Sequence, residues 1–212
     1  MTEIRTKSLG ETGAVLPAQG HDNAPATSLK NIRPPPELLI EGDLVLRRWQ
    51  FSDAEDLNAA ATSSATELVR WMPWATDGYN LTKAREFLDF TNKAWRAGET
   101  YDFAIIVDGL ISSSSGLMKP GSKAPPNTLE VGYWLAIEAT GRGYATRAAS
   151  ILTRTAFEMG AEHVQIRHAE LNHRSSAIPR RLDFKPLGLH NLPAPRGGGE
   201  VVSMLWQKDL EP

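Results

Sequence analysis

The segment Gly141-Arg142-Gly143-Tyr144-Ala145 puts two glycines between an alternating apolar run, Thr128 to Ile137, and a helical stripe that begins at Ala145. A strand feeding a glycine turn at a helix start makes an anion site. The first helical N–H groups lack internal partners and point outward with the positive end of the helix dipole. Gly141 and Gly143 let the backbone curl against phosphate oxygens, Arg142 adds charge, and the small Ala145 leaves the helix start unobstructed. The same residues suit a plain strand-to-helix turn, so the glycine pair alone leaves both readings open. A dinucleotide fingerprint fits poorly, because its third glycine would fall at Thr146 and the neighbouring strands read as antiparallel. A P-loop is excluded, since no Gly-Lys-Ser/Thr follows.

The elements that position this turn follow from hydrophobic period and punctuation. Residues 1 to 36 are poor in aromatics and end in Arg33-Pro34-Pro35-Pro36, which predicts an extended, flexible arm before a single domain over 37–212. Leu44, Leu46 and Arg48 alternate as a first strand, and Ser52-x-x-Glu55 reads as a capping box for a helix burying Leu57, Ala60 and Ala61. A second helix is expected from Thr82, with Phe87, Leu88, Thr91, Ala94 and Trp95 on one face and Gly98 past its end. Tyr101 to Val107 and Leu110 to Met118 flank Asp108-Gly109 as a hairpin. Ala145, Ala148, Ala149, Leu152, Ala156 and Met159 form the stripe of the helix after the glycine turn, which Gly160 stops. His163 to Ala169 is a strand. A short helix near Ser176 to Leu182 and strands at Phe184 to Leu187 and Val201 to Gln207, around a loop from Leu189 to Glu200, complete the chain.

At 212 residues there is room for one well-buried core. A net charge of −2 with scattered Lys and Arg offers no basic field for nucleic acid. The absence of cysteine excludes disulfides, thiolate metal sites and a cysteine nucleophile, and no metal is expected. No apolar run is long enough to span a bilayer, and the first residues lack a secretory pattern, so a cytoplasmic protein free of membrane is expected.

Order of elements and residues together resemble the GNAT acyltransferase superfamily, within it the RimJ/RimL-like branch of N-acetyltransferases. The family's coenzyme motif, Gln/Arg-x-x-Gly-x-Gly/Ala, is similar to Thr140-Gly141-Arg142-Gly143-Tyr144-Ala145 except at its first position. Asn172-x-x-Ser175 and Leu182-Asp183-Phe184 match at the family's spacing, with Asp183 in place of the usual glycine. Leu44 to Trp49, Trp71-Met72-Pro73-Trp74 and Glu130-Val131-Gly132-Tyr133-Trp134 extend the likeness over roughly residues 40 to 208. The resemblance implies an α+β, three-layer GNAT-like fold with a mixed, largely antiparallel sheet of six to seven strands and helices on both faces.

It also implies an acetyl-CoA-dependent N-acyltransferase in which a primary amine attacks the thioester directly, as a monomer or homodimer. The acceptor is expected to be a protein N-terminus. A small-molecule amine, or a non-catalytic acyl-CoA sensor, are the alternatives. The coenzyme would sit between the strands at 128–137 and 163–169, touching Leu135, Ile137, Thr140, Gly141, Arg142, Gly143, Tyr144, Ala145, Asn172 and Ser175. Thr140 is expected to offer its backbone N–H. The thioester oxygen would be held by a backbone N–H between Glu130 and Leu135.

Glu130, on one strand face with Gly132 and Trp134, is a candidate base and acceptor contact, and equally a hydrogen-bonded structural carboxylate. His168 is a second candidate base by its titration range, against the ordinary reading of a satisfied core histidine. Many relatives carry a tyrosine seven residues after the motif asparagine as general acid; here Pro179 stands there, and Ser175 is the substitute, or else a helix cap. Pro179 also predicts that the helix starts late, near Ser176, or is kinked. Trp71 and Trp74 are expected to line the acceptor pocket or cap the core.

Overall fold

Alternation at the chain's centre sets the sheet. In the structure, a computed structural model, residues 32–72, 74–75, 78–121, 123–193 and 200–211 are described. Strand β3 (Thr100–Val107) and β4 (Leu110–Met118) form the predicted hairpin, with Asp108 and Gly109 at φ 51° and 78°. Two consecutive left-handed residues give the turn whose twist matches a two-residue hairpin. β1 (Leu38–Glu41) and β2 (Leu44–Arg48) pair antiparallel outside β3, and β5 (Thr128–Leu135) pairs antiparallel with β4. β6 (His163–Ala169), β7 (Lys185–Pro193) and β8 (Glu200–Asp209) complete the order β1-β2-β3-β4-β5-β6-β8-β7.

Among the described residues eight strands thus stand where six to seven were expected. The four-residue β1 went unpredicted because Leu38 and Ile40 are exposed, so no inward alternation marks it. β7 runs on through Pro193, into the expected loop, because β8 pairs with it throughout its length. Residues 194–199 of that loop lie outside the described residues. So do residues 1–31 of the predicted arm. Its end is docked: Pro35 is buried, Ile32 packs against the core, and Arg33 N–H donates to the Met159 carbonyl at 3.1 Å.

Helices cover both faces. α1 (Ala54–Ser63) and α3 (Leu81–Ala97) bury the predicted stripes beside Trp49 and Trp134. The signals that start these helices differ from those expected. Asp53, salt-bridged to Arg47 at 3.0 Å, accepts from Gln50 N–H ahead of α1, and Asn80 caps α3 by accepting from Lys83 N–H at 3.1 Å. The short α2 (Ala65–Leu68) follows α1. On the other face α4 (Tyr144–Met159) lays Ala148, Ala149, Leu152 and Ala156 on the core formed with Leu117, Val131 and Ile166. Leu152 is fully buried, so its truncation to alanine would cost roughly 2–5 kcal/mol.

α4 is the crossover between β5 and β6, the one parallel pair among the described residues. A parallel pair needs such a connection. Pairing of β5 with β6 runs from Thr128↔His163 only to Val131↔Ile166, although both strands continue, β5 to Leu135 and β6 to Ala169. The sheet therefore splays at its centre, directly below the start of α4. α5 (His173–Arg181) begins just past the end of β6.

Candidate active site

A cavity of about 610 Å³ fills the splay, and backbone forms its α4 side. Gly141 and Gly143 both sit at φ 80°, the left-handed region open to glycine at no steric cost. A Cβ at either would meet nothing within 4 Å. Thr140, Gly141, Gly143, Ala145 and Thr146 line the cavity, and α4 has no side-chain cap. Among the described residues no protein acceptor takes the N–H groups of Gly141 to Thr146. The turn is therefore uncovered, and its amides are unspent beside an opening sized for a ligand.

Some expected contacts at this turn change. Thr140 does not offer its N–H: that group donates to the Ile137 carbonyl at 3.2 Å, and its hydroxyl donates to the same oxygen at 2.8 Å. Ile137 N–H is likewise taken, by Ser64 Oγ at 2.9 Å, and Ile137 borders the cavity without an amide to offer. Arg142 is exposed and does not line the cavity. Tyr144 turns its ring into the core, leaving only its amide for a ligand. Leu135 lines the cavity.

Side chains that hold one another build the opposite wall. Asn172 caps α5, its Oδ1 accepting from Ser175 N–H at 3.0 Å. Ser175 is consequently not the cap, and its Oγ lies 3.1 Å from the Tyr133 hydroxyl. α5 starts at His173, earlier than Pro179 suggested, because the Asn172 cap fixes its first turn and the proline falls near its end. Phe184 N–H closes that end on the Pro179 carbonyl at 2.9 Å.

His168 is held at both ring nitrogens. Its Nε2 accepts from Trp206 Nε1–H at 2.9 Å, which places the ring proton on Nδ1, 2.9 Å from the Ala169 carbonyl that accepts it. Both nitrogens are spent, and burial holds the imidazole below its ordinary value, with Arg180 and His173 adding to the effect. It is a satisfied core histidine whose edge reaches the cavity.

The third wall lies on the α1/α3 face of the sheet. Glu130 is 7% exposed, borders the cavity, and has Arg167 Nε 3.6 Å from Oε2. Trp71 and Trp74 both line the cavity; Trp74 packs edge-on against Trp134 at 5.3 Å and tilted against Tyr79 at 5.4 Å. Asp102 joins them, unforeseen. Its Oδ2 accepts from Thr91 and Thr100 hydroxyls, each at 2.8 Å. A Cβ on Gly116 would come 2.5 Å from Oδ1. Gly116 and Gly132 pair directly across β4 and β5, so the absence of side chains there opens a hollow beside this carboxylate. A charged residue between Tyr101 and Phe103 in an apolar strand was the available signal, and Thr91 in an apolar stripe was its partner.

Among the described residues no cluster of three His, Cys, Asp or Glu could hold a metal, and no helix is long and apolar enough to cross a membrane. The family model described as Acetyltransferase (GNAT) domain matches residues 43–185. YdaF of Bacillus subtilis (strain 168), designated a ribosomal N-acetyltransferase, is 32% identical over 149 residues, which are 70% of this chain and 69% of YdaF. Two solved structures share the fold. RimL, a ribosomal L7/L12 α-N-protein acetyltransferase in complex with coenzyme A, gives a TM-score of 0.73 at 16% identity over 82% of this chain and 98% of its own. The microcin C7 self-immunity acetyltransferase MccE, in complex with acetyl-CoA and AMP, gives 0.72 at 18% over 80% and 94%. With its motifs, splayed sheet and these matches in agreement, the chain belongs to the GNAT acetyltransferase family and is an N-acetyltransferase.

Proposed function

We propose that the protein binds acetyl-CoA in the splay between β5 and β6 and transfers its acetyl group to the N-terminal amine of a protein. The observation that carries this reading is the run of unspent amides from Gly141 to Thr146 opening on the cavity. Such amides hold a diphosphate without any basic side chain, which is why the threonine at 140 and the outward Arg142 matter little. Asn172 and Ser175 would flank the pantetheine, and Leu135 and Ile137 its other side.

Beyond Val131 the edge of β5 that faces β6 has lost its ladder partner. A backbone N–H there would polarise the thioester carbonyl as negative charge develops on its oxygen. Glu130, with Arg167 Nε 3.6 Å from its carboxyl, would take the proton from the attacking amine, and Ser175 would return one to the departing thiolate. Trp71 and Trp74 would border the acceptor. The names of the relatives YdaF and RimL support a ribosomal protein as that acceptor.

Asp102 supports a second reading, a small amine carrying another positive charge, because a carboxylate held by two hydroxyls favours a cation in the hollow. Thiol release from acetyl-CoA, measured with peptides bearing free Ser, Ala or Thr N-termini and with diamines, decides between them. Faster turnover of the diamines would overturn the peptide reading. Silence with both, together with no saturable heat on titrating acetyl-CoA, would overturn the whole proposal.

A further inference from the structure

Pro179 occupies the last turns of α5 and has no N–H, so the Ser175 carbonyl four residues earlier loses its helical donor. The proline ring also crowds that carbonyl. Tyr133, on the stretch of β5 that β6 no longer pairs, reaches this place: its hydroxyl is 3.5 Å from the Ser175 carbonyl and 3.1 Å from Ser175 Oγ. Both residues line the cavity. Either hydroxyl can donate in the shorter contact, and the phenol, the stronger acid of the two, is the one able to pass a proton to Oγ. When Tyr133 donates, the Ser175 proton is left for a group in the cavity, which Ser175 lines.

Resting on the acetyl-CoA reading above, we infer that Tyr133 is the positioning residue of the acid step, aiming the Ser175 hydroxyl at the coenzyme sulfur and replenishing its proton. As the C–S bond breaks, the electron pair goes to sulfur, Ser175 O–H gives sulfur its proton, and the Tyr133 proton moves to Oγ. The phenolate left behind recovers a proton from water, so no other reactant is needed. Burial pushes the Tyr133 phenol up to about 12, and it therefore enters each cycle protonated. The pair does together what a tyrosine at position 179 cannot do here, since proline has no proton to give.

The competing account is structural: Tyr133 merely serves the carbonyl that Pro179 orphans. Tyr133→Phe separates the two, assayed by thiol release from acetyl-CoA with the Ser-initiated peptide. The relay predicts a fall in kcat of about tenfold or more, KM for acetyl-CoA within about twofold, and no further loss when Ser175→Ala is added. It also predicts that Pro179→Ala, which restores an N–H to the orphaned carbonyl, leaves that kcat low. An unchanged kcat with a lowered Tm that Pro179→Ala recovers would overturn the inference, as would losses that multiply in the double variant. If Tyr133→Phe folds poorly, 3-fluorotyrosine at 133 keeps both contacts while making the phenol more acidic. The alkaline limb of kcat then moves to lower pH under the relay and stays fixed under a structural role. Wild-type turnover with an indifferent Tyr133 sinks this inference alone; a wild type that neither binds nor turns over acetyl-CoA sinks the proposed function and this inference with it.

Discussion

Two of the cavity's three walls are made of different material. On the α4 side the contacts offered to a ligand are main-chain amides at Gly141 to Thr146, available because nothing in the protein uses them. On the β6 and α5 side they are side chains already engaged: His168 with Trp206, Asn172 with the Ser175 N–H, Ser175 with Tyr133. A backbone cradle tolerates almost any residue that can adopt its φ and ψ. A side-chain wall depends on each partner's identity, and a lost member leaves another buried group unpaired. Damage to the first wall should therefore appear in coenzyme binding, and damage to the second in turnover or stability.

Gly143→Val is the most severe test of the cradle. At φ 80° a β-branched residue is strained by ~1–2 kcal/mol, yet its Cβ meets no protein atom within 4 Å. The fold should survive with a melting point a few degrees lower, while affinity for acetyl-CoA by calorimetry falls on the order of a hundredfold. An unaltered dissociation constant would break the comparison, because the turn would then not be where the diphosphate sits.

Glu130→Gln sharpens it from the acceptor side. The amide keeps the shape beside Arg167 but cannot take a proton, so kcat should fall by about a hundredfold. Acetyl-CoA affinity should stay within about twofold. Equal losses in binding and turnover would mean that Glu130 supports the coenzyme wall instead of the chemistry.

The same contrast explains what could be read before the structure. A glycine pair with a helical stripe behind it encodes backbone geometry locally, so the turn, α4 and Gly160 were all legible from neighbours in sequence. The β3–β4 hairpin was legible for the same reason, through Asp108-Gly109. Asp102 was not, because its anchors Thr91 and Thr100 come partly from another element, and its space is provided by Gly116 on a third. Nor could residue type decide His168: Trp206, which occupies its second nitrogen, lies 38 residues away. Ser175 and Tyr133, 42 residues apart, are a pair only once β5 and β6 have separated.

His168→Phe should move stability and leave chemistry alone. It deprives the buried Trp206 N–H of its acceptor, a cost of ~1–3 kcal/mol, and kcat should stay within about threefold. The pH dependence gives a second reading. His168 titrates below its ordinary value of 6.5 in the folded state, so on acidification the unfolded chain binds the proton first. Its contribution is complete above 6.5 and is lost as pH falls from there through the lower folded value. Melting curves between about pH 7 and pH 5 should converge for wild type and variant as the pH drops. A large loss of kcat at neutral pH would return His168 to the list of bases.

Asp183→Gly has the smallest effect and asks whether a departure from the family pattern reaches the chemistry. Asp183 follows α5 at φ 59°, exposed, and its N–H donates to the Arg180 carbonyl at 3.3 Å. Glycine would hold the same backbone without the left-handed penalty, a gain of about 1 kcal/mol, and raise the melting point by roughly 2–4 °C. Because Asn172 fixes α5 from its other end, Ser175 should not move, and turnover should match wild type within about twofold. A rise in kcat well beyond that would show that strain at the end of α5 is felt at Ser175, joining two ends of the helix that the hydrogen bonds keep separate.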